Sequence, residues 1–240
     1  MAFDMSTKFQ AAIKEYRYLK TRNYPERAAL KLVGDRHRLS TLERNCLFRA
    51  VMPGAVSLAR RRKLLSAPAL AGMALGVDWY NVLITVESYL KGCPVFLADD
   101  GIVRDSAGVH GSYHPSRVTD KAIAEILGGI LQLQPLQVDL FLDSPIPHSG
   151  LMAAQLRSST EDFTAGPMRV WVIPSADYLL KTYPGVVASS DSIIMDQEAA
   201  NAFFDLPRFI LKRSFLFAAP TLRRLRLPAA AQSSESSSSS

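Results

Sequence analysis

From Ala69 onward the chain alternates short apolar runs with stretches of helical periodicity, and that alternation constrains the fold more than any other feature. Strands separated by segments long enough for a crossover helix form βαβ units, and such units build a parallel sheet covered by helices. The spacing predicts strands near 69–77, 94–98, 137–142, 169–173 and 186–188, with helices over about 80–90, 118–131, 149–157, 176–181 and 197–204. The expected fold class is therefore α/β, a Rossmann-like three-layer α/β/α sandwich with a mostly parallel sheet. The first apolar run, Ala69 to Val77, stops on Asp78, followed by Trp79, Tyr80 and Asn81. Ligands of open α/β sheets bind outside the carboxyl ends of the strands, so an acid at that edge stands where chemistry is usually done. An Asp is also an ordinary turn cap at such a position.

The segment ahead of the sheet reads differently. Helices are expected over 8–19, over 25–33 with Pro25 in the first turn and Gly34 as a stop, and over 41–52, where Ser40 and Glu43 have capping-box spacing. Arg27, Lys31, Arg36, Arg38, Arg44 and Arg49 make this segment basic. It fits a helix-turn-helix-like nucleic-acid module and a basic collar packed on the main domain equally well. Arg60-Arg61-Arg62-Lys63 follows as a linker or a phosphate-facing clamp, and after Pro220 a basic run leads into a Ser-rich tail expected to be disordered. The expected division is a basic helical segment over 1–65, an α/β domain over 66–207 and a basic C-terminal segment over 208–240.

Charge is partitioned along the same lines. Residues 1–65 carry 15 Lys/Arg against 5 Asp/Glu, residues 66–207 carry 7 against 16, and residues 208–240 carry 6 against 1. An acidic centre between basic flanks suits carboxylates that bind cations and arginines that bind phosphates; for any single basic run a solvated helix face is the plainer explanation. No apolar run approaches the roughly 20 residues needed to span a bilayer and no secretory core opens the chain, so the expected address is the cytosol. The two cysteines, Cys46 and Cys93, are too far apart for a disulfide framework or a zinc knuckle and are expected to be reduced core thiols.

Under this strand assignment the carboxylates gather at strand ends: Asp78, then Asp99 and Asp100, then Asp143, then Asp191 shortly after the last strand, with Asp120 at a helix start on the same edge. Clustered carboxylates repel unless a hard cation neutralises them, and Mg²⁺ or Mn²⁺ with oxygen ligands activates water for attack on a phosphoryl group. Asp99-Asp100-Gly101 is also a turn sequence in its own right, and Asp105 fits simple loop solvation. The stretch Asp143 to Gly150 joins a strand to a helix whose amides, with Ser144 and Ser149, suit a phosphate; a Pro-stiffened loop with Ser149 as N-cap explains it equally well. Phosphate-loop, dinucleotide-fingerprint and nucleophile-elbow motifs are absent. His110 and His114 lie four apart among glycines and a proline, which argues against a helical metal pair, and His148 is an ordinary surface histidine or a proton carrier.

Three short motifs resemble a known family. Asp78-Trp79-Tyr80-Asn81-Val82 resembles the Asp-Gly-Tyr-Asn-Val opening of NYN and YacP-like nucleases of the PIN-like superfamily. Arg117-Val118-Thr119-Asp120 resembles their helix-start acid, and Ser189-Ser190-Asp191-Ser192 their Ser-Gly-Asp-Ser strand end. The resemblance spans roughly 69–196 and implies a Rossmann-like sandwich with divalent-metal-dependent ribonuclease activity. Trp79 stands where the family has Gly, and Ile193 where a second late Asp is common, so a fourth carboxylate falls to Asp196, Asp143 or Asp100. The basic helical N-terminus and the segment Phe96 to Asp105 resemble an uncharacterised prokaryotic family of the DUF434 type.

The leading expectation is a PIN-like nuclease acting on RNA, with Asp78, Asp120 and Asp191 holding Mg²⁺ or Mn²⁺, Asn81 orienting a phosphate or a metal-bound water, and Arg60, Arg61, Arg62 and Lys63 contacting the backbone. The alternatives are a non-catalytic nucleic-acid-binding or regulatory protein with a diverged PIN-like shell, suggested by Trp79 and Ile193, and a Toprim-like or phosphatase-like Rossmannoid centred on Asp99 to Asp105.

Overall fold

The computed structural model describes residues 2–3, 7–107, 113–160, 166–200, 202–222 and 227–228. In chain order the elements are β1 (Ala2–Phe3), α1 (Thr7–Thr21), α2 (Glu26–Arg36), α3 (Thr41–Ala50), α4 (Gly54–Arg62), a 3₁₀ turn (Ala67–Leu70), β2 (Ala74–Asp78), α5 (Trp79–Leu90), β3 (Val95–Leu97) and β4 (Val103–Asp105). There follow α6 (Thr119–Leu133), β5 (Gln137–Asp143), α7 (Ser149–Ser159), β6 (Met168–Ile173), α8 (Ala176–Leu180), β7 (Val186–Ala188), α9 (Ser192–Met195), α10 (Leu206–Phe215) and β8 (Leu227–Pro228). The chain folds into two compact units. One comprises 1–59, 92–108 and 219–240; the other comprises 60–91 and 109–218.

The second unit is built on a four-stranded sheet of order β6-β5-β2-β7 in which every pairing is parallel. Leu75, Val77, Val138, Leu140 and Leu142 are fully buried at alternate strand positions, as expected of strands covered on both faces. On the other face Gly76 lets the sheet meet the segment after α8, since a Cβ there would sit 3.0 Å from the Tyr183 ring. The chain steps outward from β2 to β5 to β6, then returns across the sheet to β7 on the far side of β2. The reversal creates a switch point between the carboxyl ends of β2 and β7. This mixed α/β architecture is compatible with a three-layer fold.

The first unit packs α1, α2 and α3 with the antiparallel β3–β4 hairpin. Its core joins Phe9, Ile13, Tyr16, Val33, Cys46 and Leu47 to Phe96, Ala98 and Leu222. Ser40 caps α3 through the capping box foreseen from its spacing: its hydroxyl accepts from the Glu43 amide, and the Glu43 carboxylate accepts from the Ser40 amide.

Several expectations are corrected. The stretch 69–77 is not one long strand: a 3₁₀ turn and a tight turn precede β2, because Gly72 takes φ +74. Residues 94–98 do not join the parallel sheet but pair with β4 across a turn at Gly101, φ +85. Of residues 197–204, the described ones, 197–200 and 202–204, are not helical. There the Phe203 amide donates to the Lys63 carbonyl and the Phe204 amide to the Val187 carbonyl, while Asp205 and Pro207 start α10 only afterwards. Arg60 to Arg62 are the last turn of a helix rather than a linker. Cys46 is a buried thiol, pushed up to about 12 mainly by that burial, but Cys93 is exposed.

Candidate functional site at the sheet switch point

The register explains why two motifs 111 residues apart in sequence come together. Val77 pairs with Ala188, so the residues following β2 and β7 emerge side by side. Asp78, only 2% exposed, accepts a hydrogen bond from the Ser189 hydroxyl at 2.7 Å. The Asp191 amide donates to that same hydroxyl at 3.0 Å. Asn81, in the first turn of α5, accepts through Oδ1 from both the amide and the hydroxyl of Ser190, each at 2.9 Å. Asp191 caps α9, taking the Ile193 amide at 2.7 Å. Asp78, Asn81 and Asp191 thus belong to one hydrogen-bonded interlock.

The other expected residues stand apart from it. Asp120, in the first turn of α6, is exposed and accepts from Gln155 Nε2 at 2.9 Å. Asp143 ends β5 and accepts the Ala176 amide at 2.7 Å. Ser144 is exposed, and its carbonyl accepts from the buried Ser149 hydroxyl at 3.2 Å. Ser149 is not the N-cap of α7: that position belongs to His148, at φ 64, which makes no side-chain cap. Arg60 is buried and clasps Asp196 with two hydrogen bonds of 2.7 Å. Lys63 donates to the carbonyls of Met195 and Gln197, whereas Arg61 and Arg62 are exposed.

A magnesium or manganese ion held by protein carboxylates needs several oxygens to converge. Among the described residues no three of His, Cys, Asp or Glu are grouped so that they hold a metal. The Asp78 and Asp191 carboxylates are instead turned toward a hydroxyl and a backbone amide. As arranged, the donor set does not fit the cation. Asp99, Asp100 and Asp105 lie in the first unit, engaged by Arg17 at 2.8 Å, Arg104 at 2.7 Å and Arg49 at 3.2 Å respectively. His110 lies outside the described residues.

Two features of this edge went unnoticed in the sequence. Glu87, buried in α5, accepts from the hydroxyls of Tyr113 at 2.7 Å, Thr119 at 2.6 Å and Ser116 at 3.3 Å, and from Lys91. It thereby ties the approach to α6, and with it Asp120, onto α5. A lone charge in the Val82–Leu90 stretch was its only signal. The second feature is a pocket of about 150 Å³ lined by Tyr80, Tyr113, Pro115, Pro147, His148, Leu151, Met152 and Gln155. Tyr80 and Tyr113 pack with ring centroids 5.3 Å apart.

A family model described as a domain of unknown function, DUF5616, matches residues 67–209. The chain belongs to the DUF5616 family. The DUF5616 stretch contains the interlock, Asp120, Asp143 and the pocket. A second model, the protein of unknown function DUF434, matches residues 8–63, in keeping with the resemblance seen in the basic N-terminus. An uncharacterized protein of Methanocaldococcus jannaschii is 32% identical over 197 residues, which cover 82% of this chain and 93% of that protein. No solved structure gives a significant match. Among the described residues no helix is long and apolar enough to cross a membrane.

Proposed function

We propose that the DUF5616 domain is PIN-like and that it engages RNA at the carboxyl edge of its sheet. The observation that carries this reading is the interlock of Asp78 and Asn81 with Ser189, Ser190 and Asp191 at the switch point between β2 and β7, the crevice where open α/β sheets take ligands. Exposed Arg62 and Arg117 suit phosphate contacts.

The disposition of the acids favours binding without turnover. Asp78 is buried against Ser189, Asp191 serves as a helix cap, and no acidic trio gathers among the described residues. Metal-dependent hydrolysis of a phosphodiester is the second reading, and one observation favours it: Asp78 and Asp143 end parallel strands and Asp191 follows a third, all at the carboxyl edge of the sheet. That reading requires Asp78, Asp120 and Asp191 to close on Mg²⁺ or Mn²⁺.

Calorimetric titration with Mn²⁺, together with an assay of labelled single-stranded RNA, separates the two. Metal binding and cleavage that both vanish in Asp78→Asn establish the hydrolase. RNA retention without metal heat or cleavage establishes the binding protein. A protein that neither retains nor cuts RNA refutes both.

A further inference from the structure

Burial of a hydroxyl without a hydrogen-bond partner costs about 1–3 kcal/mol, so such groups are rare in folded proteins. The Tyr80 side chain is 1% exposed, and its hydroxyl has no partner among the described residues. Tyr80 is also a wall of the 150 Å³ pocket. The α5 start contributes Tyr80; Tyr113 and Pro115 come from the approach to α6; Pro147, His148, Leu151, Met152 and Gln155 come from the start of α7. The lining combines aromatic, prolyl and thioether surfaces with few polar groups, and none of it is cationic or acidic.

Size and chemistry narrow the occupant. A cavity of roughly 150 Å³ accepts a benzene-sized ring, and flat π-faces stack on tyrosine and histidine. The unsatisfied Tyr80 hydroxyl calls for a ligand atom that hydrogen-bonds at the ring edge. Gln155 gives its amide nitrogen to Asp120, which leaves its carbonyl oxygen as an acceptor at the pocket wall. A heteroaromatic ring carrying both donors and acceptors satisfies these conditions; a lipid chain leaves the hydroxyl unpaired, and a bare phosphate meets no cation. Exposed Arg117, two residues beyond Pro115 in the chain, is suited to the phosphate attached to such a ring.

We infer that this pocket takes one pyrimidine base of a single-stranded RNA, stacked on exposed His148 with its edge toward the buried Tyr80–Tyr113 pair and hydrogen-bonded by Tyr80. The inference rests on the RNA reading for its biological ligand, but the pocket itself is testable without it. Leu151, 71% exposed at the lining, accepts a bulky substitution without disturbing the core. Leu151→Trp is therefore expected to block the pocket, and Tyr80→Phe to remove only the hydroxyl.

The experiment measures the affinity of full-length protein for a short oligouridylate, for the same oligomer with abasic riboses throughout, and for uridine monophosphate. Wild type should bind the oligouridylate about tenfold more tightly than the abasic strand, and both variants should lose that preference while holding the abasic strand unchanged. Equal affinity of wild type for the two strands overturns the pocket and leaves the RNA reading standing. Uridine monophosphate bound in a manner sensitive to Leu151→Trp, with no affinity for either oligomer, upholds the pocket and refutes the RNA reading. Absence of binding to all three ligands ends both.

Discussion

Glu87 shows how much one buried charge organises. It meets three hydroxyls and a lysine, and the residues it ties down carry the start of α6. Replacing it with Ala strands the Tyr113 and Thr119 hydroxyls in the interior. Because loss of one partner from a buried charged network is far costlier than the net worth of the network, Glu87→Ala should lower stability by about 3 kcal/mol, read from urea unfolding. A stability change below a few tenths of a kcal/mol contradicts the network. Tyrosines report the same interior from another side. Burial, reinforced by the charge of Asp143, pushes Tyr80 from 10.0 up to about 12. Tyr16, Tyr113 and Tyr183 are raised too, mainly by burial. A raised folded value means the native state keeps its proton after the unfolded chain has lost it. Stability is thus full below pH 10 and falls as pH climbs from 10 toward about 12. Absorbance of tyrosinate should show these four ionising late, together with unfolding; ionisation of all eight tyrosines at ordinary values with the fold intact refutes it.

Among elements, what the sequence disclosed depended on whether the signal was local. The α3 capping box is written in two residues three apart, and its geometry follows. Ser40→Ala should cost about 1 kcal/mol, measured by thermal unfolding, through loss of the cap. The parallel strands β5, β6 and β7 were legible because each is a short apolar run between helical segments. Residues 94–98 looked the same and went elsewhere, since nothing in a short run states its partner; the left-handed turn at Gly101 that folds it onto β4 was visible only as a generic turn sequence. The Ser189–Asp191 motif was legible as a motif, but its hold on Asp78 and Asn81 depends on the β2–β7 register, which no local pattern encodes. Close approach enforces that register. A Cβ on Gly185 would lie 2.3 Å from the Ala74 carbonyl oxygen, where only backbone can yield. Gly185→Ala should therefore destabilise the protein by about 2 kcal/mol and weaken hydrogen-exchange protection across β7. Unaltered protection of the Val187 amide is the outcome that defeats this account.

For the molecule as a whole, the units interleave along the chain rather than following one another. The helices of residues 7–50 share their core with Phe96 and Ala98 from the hairpin and with Leu222 near the other end. Backbone bonds secure those insertions: the Asp99 amide donates to the Ala50 carbonyl at 2.9 Å, and the Leu97 amide to the Pro220 carbonyl at 2.8 Å. Side chains add to them, with Arg17 gripping Asp99 through both its Nε and Nη2 atoms. A fragment ending at residue 65 loses Phe96, the largest buried side chain these insertions bring, together with the carboxylates that neutralise Arg17 and Arg49. Small domains have little stability in reserve, so a core missing its aromatic floor does not reach the folded side of the balance. The fragment 1–65 should accordingly show weak helical circular dichroism and no cooperative melt, whereas the full chain melts cooperatively. A sharp transition from the fragment alone means the helices form a free-standing module, and the hairpin then becomes an accessory to the basic segment instead of part of its core.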